Sequence, residues 1–266
     1  SGDGGDELFA GYERYRLADR LKRLLDSMPR AVANLAASTM RALPPAAWQR
    51  LLSPLSMEHA GDRLHKLAAV LASGPDAIYS HLISQWPDPR ILMPATAEQE
   101  PVFQQARVSA LGLSGIAQMQ AFDTVSYLPD DILTKVDRAS MATALEVRVP
   151  ILDHRVVEFA WRLPPQMLIR GGETKWPLRQ VLYRHVPATH FSRQKMGFAV
   201  PLASWLRGPL RDWAEDLLSE DEIRAEGLFD FRPIRTAWAE HLSGTRNWQH
   251  RLWTVLILRQ WLRRWS

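Results

Sequence analysis

Residues 127–153 read YLPDDILTKVDRASMATALEVRVPILD, and the fold turns on how that stretch is read. Pro129 followed by Asp130 and Asp131 is how a helix opens. Proline lacks only an N–H that the first turn leaves unpaired, and acids there complement the helix dipole. Leu133, Val136, Ser140/Met141 and Ala144 then recur at three and four, which predicts a helix with that stripe buried and Asp137 and Arg138 at its border. Residues 147–151 are the best extended segment, because Pro150 pushes its neighbour out of the α region. Glu146, Arg148 and Asp153 punctuate the apolar run 145–152. Charges embedded this way are expected to pair when buried, and Asp153 is equally suited to cap a helix carrying Val156, Val157, Phe159 and Ala160.

Outward from this block the punctuation is proline, from Pro29 to Pro201, at spacings of about one helix. Between the prolines apolar residues recur with helical period: Leu8, Phe9, Tyr12 and Tyr15; Leu64, Leu67, Ala68 and Leu71; Ile78, Tyr79, Leu82 and Ile83. Alternating patterns are nearly absent, residues 198–200 being the one other extended candidate. No repeat or low-complexity segment interrupts the pattern. The residues by themselves predict a mainly α chain.

A chain of 266 residues, 46% hydrophobic, can bury a core without disulfide or metal support. Zero cysteines exclude a disulfide scaffold, a thiolate metal site and a cysteine nucleophile. No apolar run approaches 18 residues, and the opening is not a signal peptide, so no membrane is expected as a partner and the cytoplasm is favoured. The abrupt start, without Met, suggests a piece of something longer. From Arg232 onwards seven arginines face one acid, Glu240. Such a tail suits nucleic acid or a lipid surface. The other reading is a terminal helix docked through Trp248, Leu252, Val255, Leu256 and Leu262 and widened by Trp253 and Trp261. Its arginine stems would then lie on apolar surface with their heads in water. We adopt that second reading, which leaves nucleic acid out.

The chemistry gathers in loops. Ser1-Gly2-Asp3-Gly4-Gly5-Asp6-Glu7 precedes a helical pattern, so its N–H groups can converge on an anion. Three carboxylates beside such a site make sense around a divalent cation, since Mg²⁺ is typically held by one or two carboxylates plus substrate phosphates. A glycine turn with an aspartate cap is the plainer alternative. Gly171-Gly172-Glu173-Thr174-Lys175 leads into another helix. A lysine in a first turn opposes the dipole and gains only if it faces phosphate oxygens. Arg193-Gln194-Lys195-Met196-Gly197-Phe198 is a basic loop.

Taken in order, these blocks resemble the synthetase half of the glutamine-dependent asparagine synthetases. The resemblance rests on SGDGGDELFAGY at 1–12, the 127–153 block, Lys175 with Leu178-Arg179, Arg193-x-Lys195-x-Gly197-Phe198, and Leu252-Trp253 with Trp261-Leu262. Residues 16–122 carry helical pattern only. The resemblance implies an α/β ATP-pyrophosphatase domain of the adenine nucleotide α-hydrolase type, of which residues 1–266 would be the helical C-terminal part. Most of the parallel sheet, the pyrophosphate loop and the glutaminase domain would lie upstream, and the piece alone would bind ATP poorly and make no product. It also implies ATP and Mg²⁺ as cofactors, adenylation of the aspartate side chain or a related acid, and attack by ammonia from glutamine. A homodimer is the assembly it allows. By position, Asp6 is implied as the Mg²⁺-pyrophosphate ligand, Ser1 and Gly2 as adenylate contacts, and Arg179 as a further nucleotide contact. Asp3 is implied near the amine nucleophile, and Lys175 as the cation stabilising the developing phosphate charge. Two rivals remain: a relative that amidates another acid, such as a sugar uronate, and a non-catalytic helical module whose basic tail binds nucleic acid.

Overall fold

The structure, a computed structural model, describes residues 1–52, 60–74, 78–86, 88–95, 111–191 and 200–265. The basic loop at 193–198 and most of the extended candidate at 198–200 lie outside the described residues. In chain order the helices are α1 Gly5–Leu8, α2 Glu13–Asp26, α3 Arg30–Ala42, α4 Pro45–Leu51, α5 Ala60–Ser73 and α6 Ile78–Ile83. They continue as α7 Gly115–Val125, α8 Thr134–Met141, α9 His154–Arg162, α10 Pro165–Leu168, α11 Trp176–Leu182 and α12 Leu202–Arg207. The last four are α13 Arg211–Leu217, α14 Glu220–Glu226, α15 Phe231–Leu242 and α16 Gln249–Trp265. Among the described residues there is no strand, only an isolated bridge between Arg170 and Glu173. The mainly α expectation holds at that level. No described helix is long and apolar enough to cross a membrane.

The chain divides into two compact units, Ser1–Ser27 with Glu100–Lys195, and Met28–Gln99 with Met196–Ser266. In the second, α5 packs on α3 and α4, with Ala33 and Ala37 buried on α3 and Ala68 and Leu71 on α5. The core of its C-terminal part joins Leu206, Leu217, Ile223, Ile234, Trp238, Leu252 and Leu256, with Leu92 brought in as its carbonyl accepts from Asp230 N (2.7 Å).

The docked reading of the last helix holds, with two corrections. Leu252, Val255 and Leu256 are buried, but Trp261 stands 57% exposed, so it does not widen the stripe. The Arg259 head is not in water: it is fully buried, with Nε and Nη2 donating to the Glu226 carboxylate at 3.1 and 2.7 Å. Its partner lies on α14, 33 residues away, and so could not be read from the tail itself. The other tail arginines are also engaged. Arg232, Arg235, Arg246 and Arg263 pair with Asp230, Glu215, Glu240 and Asp216, while Arg251 and Arg264 lie over tryptophan rings. Arg259 is fully buried and would keep only Glu222, at 3.7 Å, if Glu226 were removed, whereas Glu226 is 29% exposed and would keep contact with water if Arg259 were replaced by an apolar side chain of similar shape. Glu226→Ala is therefore expected to cost about 3 kcal/mol of stability. Arg259→Met should cost clearly less, and denaturant midpoints of the two variants check that order.

In the first unit the 127–153 block departs from its reading. Residues Leu128–Leu133 form a π-helical turn before α8. The stripe predicted to be buried is at best half-buried: Leu133, Val136 and Ser140 are intermediate, Met141 is 54% exposed, and Ala144 is exposed in the left-handed region (φ 56°). Glu146 and Arg148 do pair (2.8 Å), yet both are largely exposed, so the pair is not a buried lattice. Residues 145–149 form neither strand nor helix, and Pro150–Leu152 is a 3₁₀ turn. Asp153 caps α9, accepting from Arg155 N at 2.9 Å, and its bidentate contact with the Arg155 guanidinium lowers its pKa below the usual carboxylate range.

Candidate active site

The site lies within the first unit. The opening stripe predicted over Leu8, Phe9, Tyr12 and Tyr15 is not one helix. α1 is a single turn, and the chain breaks at residues 9–12 before α2 begins. Gly4 (φ 81°) enters α1 in the left-handed region, and a Cβ there would overlap the Leu152 side chain. Ala10 (φ 53°) turns the chain out again, a conformation alanine adopts at a cost. Gly11 N then closes the turn on Asp6 O (2.8 Å).

That turn brings Asp6 under the loop that starts α11. Lys175 Nζ sits 2.8 Å from Asp6 Oδ2, each side chain about a quarter exposed, and Lys175 N donates to Phe9 O (3.2 Å). The glycine loop and the lone ammonium thus meet in space. Lys175 is not in the first turn, as its sequence suggests, but at the N-cap in the left-handed region (φ 54°). Gly11 is what lets the pair close: a Cβ there would overlap both Asp6 Oδ1 and Lys175 Cε, and would stand 2.9 Å from Asp6 Cα.

The other predicted residues divide. Asp3 Oδ2 accepts from Ser1 Oγ, and the Ser1 nitrogen donates to Arg148 O (2.7 Å). Gly2 is exposed, with nothing within 4 Å of where its Cβ would be. Arg179 is turned towards its own loop, with Nε donating to Thr174 O (3.0 Å), Nη1 to Tyr183 Oη (3.3 Å), and a 3.6 Å pairing with Glu173. Glu7 corrects the idea of three carboxylates around one cation. It is 1% exposed and points inward, its Oε1 accepting from Tyr12 Oη at 2.6 Å. Burial pushes the Glu7 carboxyl up, and burial next to that carboxylate pushes the Tyr12 hydroxyl up.

Sequence reasoning missed the support beneath the loop. Gln120 and Asp123 on α7 are buried, and Asp123 Oδ2 accepts from Tyr15 Oη (2.5 Å) and Arg14 Nη2 (2.8 Å). The Arg14 guanidinium lies 3.9 Å over the Tyr12 ring and 4.8 Å over Tyr127. A helix whose apolar residues carry two buried polar side chains is the only sequence signal for this, and it points to no particular partner.

Among the described residues no group of three or more His, Cys, Asp or Glu could form a cation cage. Asp6 is the carboxylate facing Lys175, with Asp3 turned to Ser1 and Glu7 to Tyr12. One carboxylate is too little for a protein-only metal centre. It is what a Mg²⁺ ion shared with phosphate oxygens asks of a protein.

A family model described as asparagine synthase matches residues 1–263. A Mycobacterium tuberculosis protein provisionally named a glutamine-hydrolysing asparagine synthetase is 32% identical over 263 residues, 98% of this chain and 38% of its own length. Glutamine-hydrolysing asparagine synthetase 1 of Bacillus subtilis is 27% identical over 98% of this chain and 39% of its own. The glutamine-hydrolysing asparagine synthetase of Gallus gallus is 30% identical over 46% of this chain and 24% of its own. The chain thus spans about two fifths of the length of the curated relatives that match it throughout. No solved structure gives a significant match.

Proposed function

This chain belongs to the asparagine synthase family, and on that premise we propose that it forms part of an ATP-consuming, amide-forming synthetase of the glutamine-hydrolysing type. Aspartate is the acid that the relatives' names support. A side-chain carboxylate oxygen attacks the α-phosphorus of ATP, and the bond to pyrophosphate breaks. Ammonia then adds to the acyl carbon of the adenylate, loses its proton, and AMP leaves with the C–O electron pair.

The observation that carries this reading is the meeting of Asp6 and Lys175 at 2.8 Å. Two opposite charges held together on a glycine-lined turn form a site balanced without ligand, and a polyphosphate with its cation would divide that pair. Lys175 would then face phosphate oxygens, where a fixed cation stabilises charge that develops during transfer. Asp6 would hold Mg²⁺, which when bound neutralises phosphate charge. On this reading the exposed Ser1 and Gly2 would contact the adenylate, Asp3, which accepts from Ser1 Oγ, would serve the incoming amine, and Arg179 would steady the Lys175 loop through its bond to Thr174 O.

Asp6→Asn in the whole protein is the test. It keeps the size of the side chain and removes its charge, so Mg²⁺-dependent ATP–pyrophosphate exchange should fall by about 10². Exchange at the parental rate would remove Asp6 from metal binding.

A further inference from the structure

We propose that Gln120 is a positioning residue for this site: its buried amide reaches from α7 to the Glu7 carbonyl, fixing where α1 sits and so where Asp6 meets Lys175. Gln120 is 3% exposed, and its Nε2 donates to Glu7 O at 2.6 Å. A four-residue helix cannot hold itself, because one turn fixes several dihedrals for very few hydrogen bonds. α1 is also entered through left-handed Gly4 and followed, after Phe9, by left-handed Ala10, so its own backbone gives it no continuation on either side.

The Asp6 carbonyl is tied to Gly11, within the same turn. The Glu7 carbonyl is tied across 113 residues to Gln120. An amide buried between Met119 and Ala121 is costly unless its hydrogen bond is made, and an apolar residue of that size would pack there without the debt. One helical turn further, on the same face of α7, Asp123 holds Tyr15 and Arg14 at the start of α2. The turn at residues 9–12, which closes over Lys175, is therefore clamped at both ends from one face of one helix.

The test compares Gln120→Met, which keeps size and burial but removes the donor, with Met119→Ala, which weakens the same helix without touching the clamp. Amide hydrogen exchange is read on the peptide covering residues 5–12 in the unliganded whole protein. Gln120→Met should speed that exchange at least tenfold, and Met119→Ala should leave it within about threefold of the parent. Equal exchange in Gln120→Met and the parent overturns the proposal, as does equal acceleration in both variants. Should Gln120→Met fail to fold, Gln120→Asn, whose amide is too short to reach, is read the same way. A second measurement rests on the proposed function: the Mg²⁺ concentration for half-maximal ATP–pyrophosphate exchange should rise at least fivefold in Gln120→Met and stay put in Met119→Ala. The two ideas fail separately. Normal exchange in Asp6→Asn would sink the metal reading and leave the hydrogen-exchange result standing, while an unmoved 5–12 peptide would sink the clamp alone.

Discussion

Lys175→Met is expected to slow adenylate formation by about 10² or more, with little change in the concentration of acid needed for half-maximal rate. The reasoning is electrostatic. The backbone bond of Lys175 N to Phe9 O keeps the ammonium on this loop after the polyphosphate has divided it from Asp6, so it is already in place before charge moves. Interactions that strengthen only as negative charge builds on phosphate lower the barrier rather than the binding energy. The fold should survive, because the pair is partly solvated and such pairs contribute about 0–1 kcal/mol. ATP–pyrophosphate exchange gives the rate and a thermal melt the control. A rate within threefold of the parent would take Lys175 out of the chemistry.

Gly11→Ala is expected to damage the site as severely, though no functional group is altered. The added methyl would stand 2.9 Å from Asp6 Cα, a backbone atom that cannot swing aside, and would overlap both charged side chains. Either the 9–12 turn shifts or the ion pair opens. Overpacking of this kind typically costs about 1–3 kcal/mol, so the variant should fold with a lower melting temperature. Exchange activity should fall about as far as in Asp6→Asn. A fully active Gly11→Ala would mean that the close approach of Asp6 and Lys175 does not matter to the reaction.

What the sequence made legible follows from how far apart the interacting residues lie. Helix content could be read because proline spacing and three–four periodicity are local. The family blocks placed Asp6 and Lys175 together, but nothing local showed that Lys175 would be a left-handed cap. Ala10 hid the break between α1 and α2, since alanine there looks like helix and the tertiary bond between Lys175 N and Phe9 O overrides that preference. Glu7 looked like a third ligand because its neighbours are acidic. Its inward turn depends on Tyr12 and on a helix more than a hundred residues away. Met141 and Ala144 were assigned to a buried stripe by periodicity, which reports that a face is apolar and not whether anything covers it. Arg259 was assigned to water with the other tail arginines because the tail itself holds no acid near it, whereas its carboxylate comes from α14.

The left-handed backbone at position 175 has a consequence for how this protein would respond to breeding for heat resistance alone. A non-glycine residue in that conformation is held at a cost of about 1 kcal/mol, and glycine or asparagine would relieve it. Freed from any demand for turnover, a population under such selection should exchange its lysine for one of those two. The survivors would be hardier proteins that have traded away their trade.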